Sequence, residues 1–418
     1  MSKWLGRHGW LAVLAVSLSM LLVFAACGDD EKKPGDTATP AETTAAPGKT
    51  VTVAAGEKIQ VGITAVLAGD IGHLGEAVLK AAELAAQQHG AIEGFEVEIV
   101  SADDTCAAAG AIPAAQQLLA NKNLVAVIGS ICSGVNIAVQ PTYEEAGITQ
   151  VSSGSTAVVI TYPKDREPFD HFLRTIVYDG VQGAKQADYA KTVLKATTAY
   201  IAHDTDTYGS GLADVFEEKF KEGGGEVVGR QGWEKKQTDF AALVTSVTTA
   251  NPDLVYVAAF DPESAAFVTQ LRLAGYEGDF MGGDGVITEQ FLTLAKENAE
   301  GAHLSKGAPT VETAALTKFQ TDFEAHAGFA WDRDPYTAET YDAYTAIFNG
   351  IKEVAKVVDG NLEIDLAAMN DAIQAQDFEG VTGRIQFDDH GDLVAQPGKQ
   401  LIAFFKVVNG AYVAQEFE

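Results

Sequence analysis

The chain has 418 residues, 47% of them hydrophobic, and a formal net charge of −29. Such a carboxylate excess excludes nucleic-acid binding, which rests on basic surface, and disfavours lying flat on anionic lipid. Beyond residue 56 roughly 360 residues remain, more than one ordinary core holds, which predicts two lobes.

The N-terminus carries an export pattern. Lys3 and Arg7 are basic, Leu11–Ala26 is apolar except for Ser17 and Ser19, and Phe24-Ala25-Ala26 leads into Cys27. These features read as a secretory signal over residues 1–26. The small pair before a cysteine resembles a bacterial lipobox, in which Cys27 becomes the lipidated first residue. The alternative is an uncleaved anchor, for which the apolar run is short. Residues 27–56 are rich in Thr, Ala, Pro and Gly without apolar period, and are expected to stay disordered as a tether. With Cys27 lipidated, Cys106 and Cys132 remain. They are either bridged, as an oxidising compartment allows, or two buried thiols; a bridge would add roughly 3–4 kcal/mol.

The body alternates extended and helical patterns. Lys58–Thr64 predicts a strand and Gly75–His89 a helix, with Val78, Ala81, Ala82, Leu84 and Ala85 at helical spacing and Gly90 as the stop. Phe95–Val100 alternates as a strand does, and Ala111–Ala120 is helical. Leu124–Ile128 is a continuous apolar strand, the kind buried on both faces of a parallel sheet. Val135–Glu145 then predicts a helix and Ile148–Val151 a strand. This β-α-β-α-β-α-β order indicates a doubly wound α/β lobe.

The pattern restarts near residue 180. Ala199–Ala202, Glu226–Val228, Leu254–Ala258 and Asp279–Met281 read as strands, and Gly211–Lys221, Phe240–Thr249 and Pro262–Leu273 as helices. Gly223-Gly224-Gly225 reads as a turn. The tail adds helices at Thr313–His326, Glu339–Val358 and Leu366–Gln376, then strands at Ile385–Phe387 and Leu401–Val408. Two like halves imply a clamshell with strand C-terminal ends facing a shared cleft, where open α/β sheets take ligands.

Ordered motifs support a family reading. They include Ala68-Gly69-Asp70 with Leu74-Gly75, Asp103-Asp104-Thr105-Cys106, Val127–Ser133, Tyr143–Ile148, Ser152–Thr156 and Phe172–Thr175. His203–Gly209, Asp253–Tyr256, Phe280–Gly285 and Tyr341-Asp342-Ala343 continue the series. From about residue 57 onward the chain resembles the type I periplasmic binding proteins, in particular the branched-chain amino acid (leucine/isoleucine/valine) branch. The resemblance implies two Rossmann-like lobes joined by three crossover segments, a Venus-flytrap clamshell. The crossovers are expected near Thr175–Tyr178, His303–Gly307 and Gln386–Asp389. The lobes are then 57–176 plus 305–386, and 177–304 plus 387–418. The resemblance also implies a Cys106–Cys132 disulfide.

A free amino acid carries a carboxylate and an ammonium on one carbon, so its site needs donors and acceptors. Ser133 stands between an apolar strand and a helix start, where anions are welcome, and Gly154 and Thr156 follow the next strand. The resemblance assigns these three to the carboxylate; simple N-capping is the alternative for the hydroxyls. It assigns Asp284, within Gly282-Gly283-Asp284-Gly285, to the ammonium. The flanking glycines would let backbone approach a ligand, although turn aspartates are also common between glycines. Leu74, Ile131, Tyr208, Phe260 and Tyr336 match positions that line the side-chain pocket. Asp284, Leu74 and Phe260 stand where the leucine binders carry Glu, an aromatic ring and usually Tyr.

The implied role is a monomeric, lipid-anchored, extracytoplasmic solute-binding component of an ABC importer, without cofactor or metal. It would close on a small amino acid and pass it to a permease and ATPase. Amides, urea, aromatic acids and peptides are alternative ligands, and a sensory ligand-binding module is an alternative role. Catalysis has no motif support: there is no Gly-x-Ser-x-Gly, His-Glu-x-x-His, Gly-x-Gly-x-x-Gly or phosphate loop, and the eight histidines are scattered.

Overall fold

A computed structural model describes residues 48–307, 313–396 and 400–417. The signal segment, Cys27 and the tether as far as residue 47 lie outside the described residues.

Two parallel sheets organise the chain. The first runs Val97–Asp103, Ile59–Ala65, Leu124–Gly129, Thr149–Ser152, Phe172–Arg174. The second begins with five parallel strands, Glu226–Trp233, Thr198–Asp204, Leu254–Ala258, Asp279–Gly282 and His303–Gly307. It ends with antiparallel Ile402–Val408 and Ala411–Gln415. In each parallel set the earliest strand lies between the second and third, so each sheet has a topological switch point beside its first strand. The apolar strands Leu124–Gly129 and Leu254–Ala258 are buried at every position, as strands covered on both faces must be.

Helices cover both sheets. In the first lobe, Gly72–His89 packs on Thr337–Val354, and Ala108–Leu119 on Ser133–Ala146. In the second, Asp179–Thr192 packs on Thr207–Glu222, and Asp261–Leu273 on Glu289–Ala295. Cys106 and Cys132 are bridged, their Cα atoms 5.4 Å apart. Among the described residues no helix is long and apolar enough to cross a membrane.

Four expectations need correction. Thr50–Val53, placed in the disordered tether, is a strand paired with Asn361–Asp365. Its valines are buried and its threonines exposed, so alternation over four residues suffices once a partner strand exists. The helix expected over Glu339–Val358 stops at Val354, and Lys356–Val358 pairs with Asn361–Asp365 around the turn at Asp359-Gly360. His303–Gly307, expected at the second crossover, is a full strand of the second sheet. The third crossover falls later than Gln386–Asp389. Phe387 still bridges Leu393, and the Gly391 carbonyl accepts from Arg174 N–H at the first sheet's edge.

Candidate functional site

The C-terminal ends of strands Leu124–Gly129 and Thr149–Ser152 are joined by a buried polar network. Asn136 Oδ1 accepts from Ser130 N–H (2.8 Å) and Gln150 Nε2 (2.9 Å), while its amide donates to the Ser130 carbonyl (3.1 Å) and Ser155 Oγ (2.6 Å). Ser152 and Ser155 hydroxyls donate to the same carbonyl. The network holds the loop that carries Gly154 and Thr156 against the loop that carries Ile131 and Ser133. A Cβ at Gly154 would lie 2.7 Å from Ile131 Cβ, so only glycine allows this contact. Ser133 opens helix Ser133–Ala146 and its Oγ accepts from Ala157 N–H (3.2 Å). Thr156 Oγ1 is buried without a hydrogen-bond partner.

Asp284 lies just past strand Asp279–Gly282 and is 1% exposed. Its Oδ1 accepts from Gln182 Nε2 (2.6 Å) and Tyr208 O–H (2.8 Å), and its Oδ2 from Tyr336 O–H (2.7 Å). Burial and the Asp284 charge both push the two phenols far up, so they remain donors. The flanking glycines make room for protein: Cβ atoms would lie 2.9 Å from Tyr208 Oη at Gly283, and 2.7 Å from the Ala259 carbonyl at Gly285. Phe260 packs on Tyr208 with ring centroids 5.3 Å apart.

A second carboxylate joins these two halves. Asp179 begins helix Asp179–Thr192, is fully buried, and its N–H donates to the Thr156 carbonyl (2.8 Å). Neither of its carboxylate oxygens has a hydrogen-bond partner of good geometry, although Thr156 and Gln182 lie close enough to favour its ionised form. Burial, then the charge of Asp284, hold its carboxyl well above the usual range, against the pull of Thr156, Arg174 and Gln182. A buried carboxylate without partners is costly unless a cation completes it. Asp284 is already satisfied by three donors; Asp179 is not.

Around the rim the two lobes touch. Gln290 Nε2 donates to the Asp70 carbonyl and Glu289 N–H to the Arg333 carbonyl, both at 2.9 Å. His73 of the first lobe lies 2.5 Å from Asp334 of the same lobe and 3.1 Å from Asp261 of the second. Burial opposes charge on the imidazole, but the two carboxylates outweigh it and raise its pKa from 6.5 to about 9. A raised histidine pKa stabilises fully below its unfolded value and is lost as pH rises through the folded one. Stability is therefore expected to fall by roughly 2 kcal/mol between about pH 6.5 and 9, after allowance for solvent screening. Urea unfolding across this window should show the fall in the native chain and a flatter profile in His73→Gln.

The structure thus brings Asp284, Tyr208, Phe260 and Tyr336 into one cluster, and Ser133, Gly154 and Ile131 into another, with Thr156 and Asp179 between them. Leu74 lies fully buried in the first turn of helix Gly72–His89, in the same apolar cluster as Ile131, Tyr208, Phe260 and Tyr336. Asp179 and Gln182 were missed by sequence reasoning. The available signal was an aspartate directly after the Thr175–Tyr178 crossover, with a glutamine one helical turn on. Among the described residues no group of His, Cys, Asp or Glu is arranged to hold a metal ion.

Known proteins share this arrangement of two lobes. The sequence profile described as periplasmic binding protein matches residues 58–411. An amino acid binding protein of Pseudomonas aeruginosa is 28% identical over 340 residues, which span 80% of this chain and 87% of that protein. The Leu/Ile/Val-binding protein of Escherichia coli K12 is 28% identical over 353 residues, 82% of this chain and 89% of its own. The crystal structure of the leucine binding protein LivK from Thermotoga maritima superposes with a TM-score of 0.76 at 25% identity, covering 86% of this chain and 98% of that one.

Proposed function

The chain belongs to the periplasmic binding protein family, a family of solute-binding proteins and not of enzymes, and on that premise we propose that it captures a small α-amino acid, branched-chain or related, between its lobes for an ABC importer. The named relatives bind amino acids or leucine, isoleucine and valine. In this reading the protein works outside the cytoplasmic membrane, tethered through a lipid on Cys27, and its lobes close on the ligand for delivery to a permease and ATPase.

The observation that carries the proposal is the pair of buried carboxylates, Asp179 and Asp284, beside a helix start with hydroxyls at Ser133 and Thr156. An ammonium supplies the charge that Asp179 lacks, while the hydroxyls and backbone N–H groups take the carboxylate. Ile131, Leu74, Tyr208, Phe260 and Tyr336 would surround the side chain. Closure is stabilised only as far as the ligand binds the closed form better than the open one.

A thermal-shift screen over the twenty amino acids, simple amides, urea and aromatic acids tests this. At least one α-amino acid is expected to raise the melting temperature. Stabilisation by urea or benzoate alone would replace the amino-acid ligand with one that lacks an ammonium. Asp284→Ala removes the acceptor of Tyr208, Tyr336 and Gln182 and is expected to weaken the selected amino acid by about 2–5 kcal/mol in calorimetry.

A further inference from the structure

On the second lobe Asp206 caps helix Thr207–Glu222, and Lys235 follows strand Glu226–Trp233. Their side chains form an ion pair of 2.5 Å. The pair faces the disulfide-bridged edge of the first lobe. Lys235 Nζ donates across the gap to the Cys106 carbonyl at 2.7 Å. Cys106 is bridged to Cys132, the residue directly before Ser133. Two residues past Cys132, a Cβ on Gly134 would lie 3.0 Å from Asp206 Oδ1 and 3.3 Å from Thr207 Oγ1. One ion pair therefore lies against Cys106 and against Gly134, two residues past Cys132.

The first lobe is shaped for this contact. Thr105 and Cys106 adopt left-handed backbone, with φ of 55° and 49°, which favours glycine and costs energy at other residues. Asp103 and Asp104 hold the turn by accepting from the N–H groups of Thr105 and Cys106, both at 2.9 Å. Beneath it lies a cavity of about 260 Å³, lined by Cys106, Thr105 and Lys235, and by Phe260 from the candidate ligand wall.

We propose that Lys235, held by Asp206, is a positioning residue for ligand capture: by gripping the Cys106 carbonyl it holds the disulfide-linked helix start at Ser133 against the second lobe. The proposal rests on the reading that the ligand lies between the lobes. Lys235 acts through the disulfide and touches no ligand. It stands at the solvent-exposed rim, so its replacement leaves the core intact.

Small-angle X-ray scattering of the ligand-free protein, paired with leucine, isoleucine and valine titrations by calorimetry, tests it. Lys235→Met is expected to be more expanded than the native chain at an unchanged unfolding midpoint. It should release an amino acid that binds the native chain about tenfold faster. Lys235→Arg should restore both properties. Gly134→Ala, which forces the Asp206 pair outward, should expand the molecule with Lys235 still present. Identical ligand-free dimensions for the native chain, Lys235→Met and Gly134→Ala overturn the latch. If no amino acid binds the native chain, the proposed ligand fails, while the ligand-free comparison still decides the latch.

Discussion

Asp179→Asn is expected to make the ligand-free protein more stable and to abolish its response to amino acids. The carboxylate is fully buried, its oxygens have no partners of good geometry, and Asp284 adds like charge. Asparagine keeps the shape and cannot ionise, so above the elevated pKa it relieves desolvation and like-charge repulsion together. The same change deletes the counter-charge of an α-ammonium, so affinity should fall by about 2–5 kcal/mol. A carboxyl whose folded pKa is raised binds its proton more tightly when folded. Ligand-free stability should therefore decline as pH rises through that elevated pKa. A saturating amino acid should reduce the decline, because its ammonium favours the ionised form. Urea unfolding from pH 4 to 8, with and without ligand, reads both effects, and Asp179→Asn should flatten the profile. An unchanged or lower ligand-free stability with affinity retained would remove Asp179 from the site. Stability given up at a binding site is a common trade against function.

The reason Asp179 escaped sequence reasoning is physical. Helix Asp179–Thr192 buries Asp179, Gln182 and Gln186, so the apolar period that marks a helix is missing at the candidate site. Gln186 is held by Tyr256 O–H and itself donates to Ser305 Oγ, partners far away in the chain. Leu254–Ala258, by contrast, is apolar throughout and its bounds were legible to the residue. Asp284 was named as a candidate from its glycines and the family likeness, but its bonding was not legible. Its donors Tyr336, Tyr208 and Gln182 stand 52, 76 and 102 residues away in sequence, beyond any local pattern. The small sheet of Thr50–Val53 failed for a related reason: four residues show their alternation only once Asn361–Asp365 supplies the opposite edge.

Arg174 and Asp392 should prove the most sensitive ion pair among the described residues. Arg174 is fully buried and Asp392 is 2% exposed. The guanidinium bonds Asp392 through Nε, the carbonyls of Ser155 (3.0 Å) and Ala157 (3.1 Å) through one amino group, and Thr161 Oγ1 (2.6 Å) through the other. Those carbonyls flank Thr156, so one side chain fixes the loop of the candidate site to the segment that leads into the third crossover. Asp392→Ala leaves a buried cation unpaired and is expected to cost about 3–5 kcal/mol in urea unfolding. An apolar replacement of both partners, Arg174→Met with Asp392→Leu, should recover part of that loss, because the desolvation of two charges disappears with them. Arg174→Lys separates charge from shape. It keeps the cation but loses the planar fork that spans both carbonyls and Thr161. Its stability should fall less than that of Asp392→Ala, while affinity for the amino acid falls with the loosened Gly154–Thr156 loop. Equal affinity for Arg174→Lys and the native chain would make the pair a brace of the fold alone.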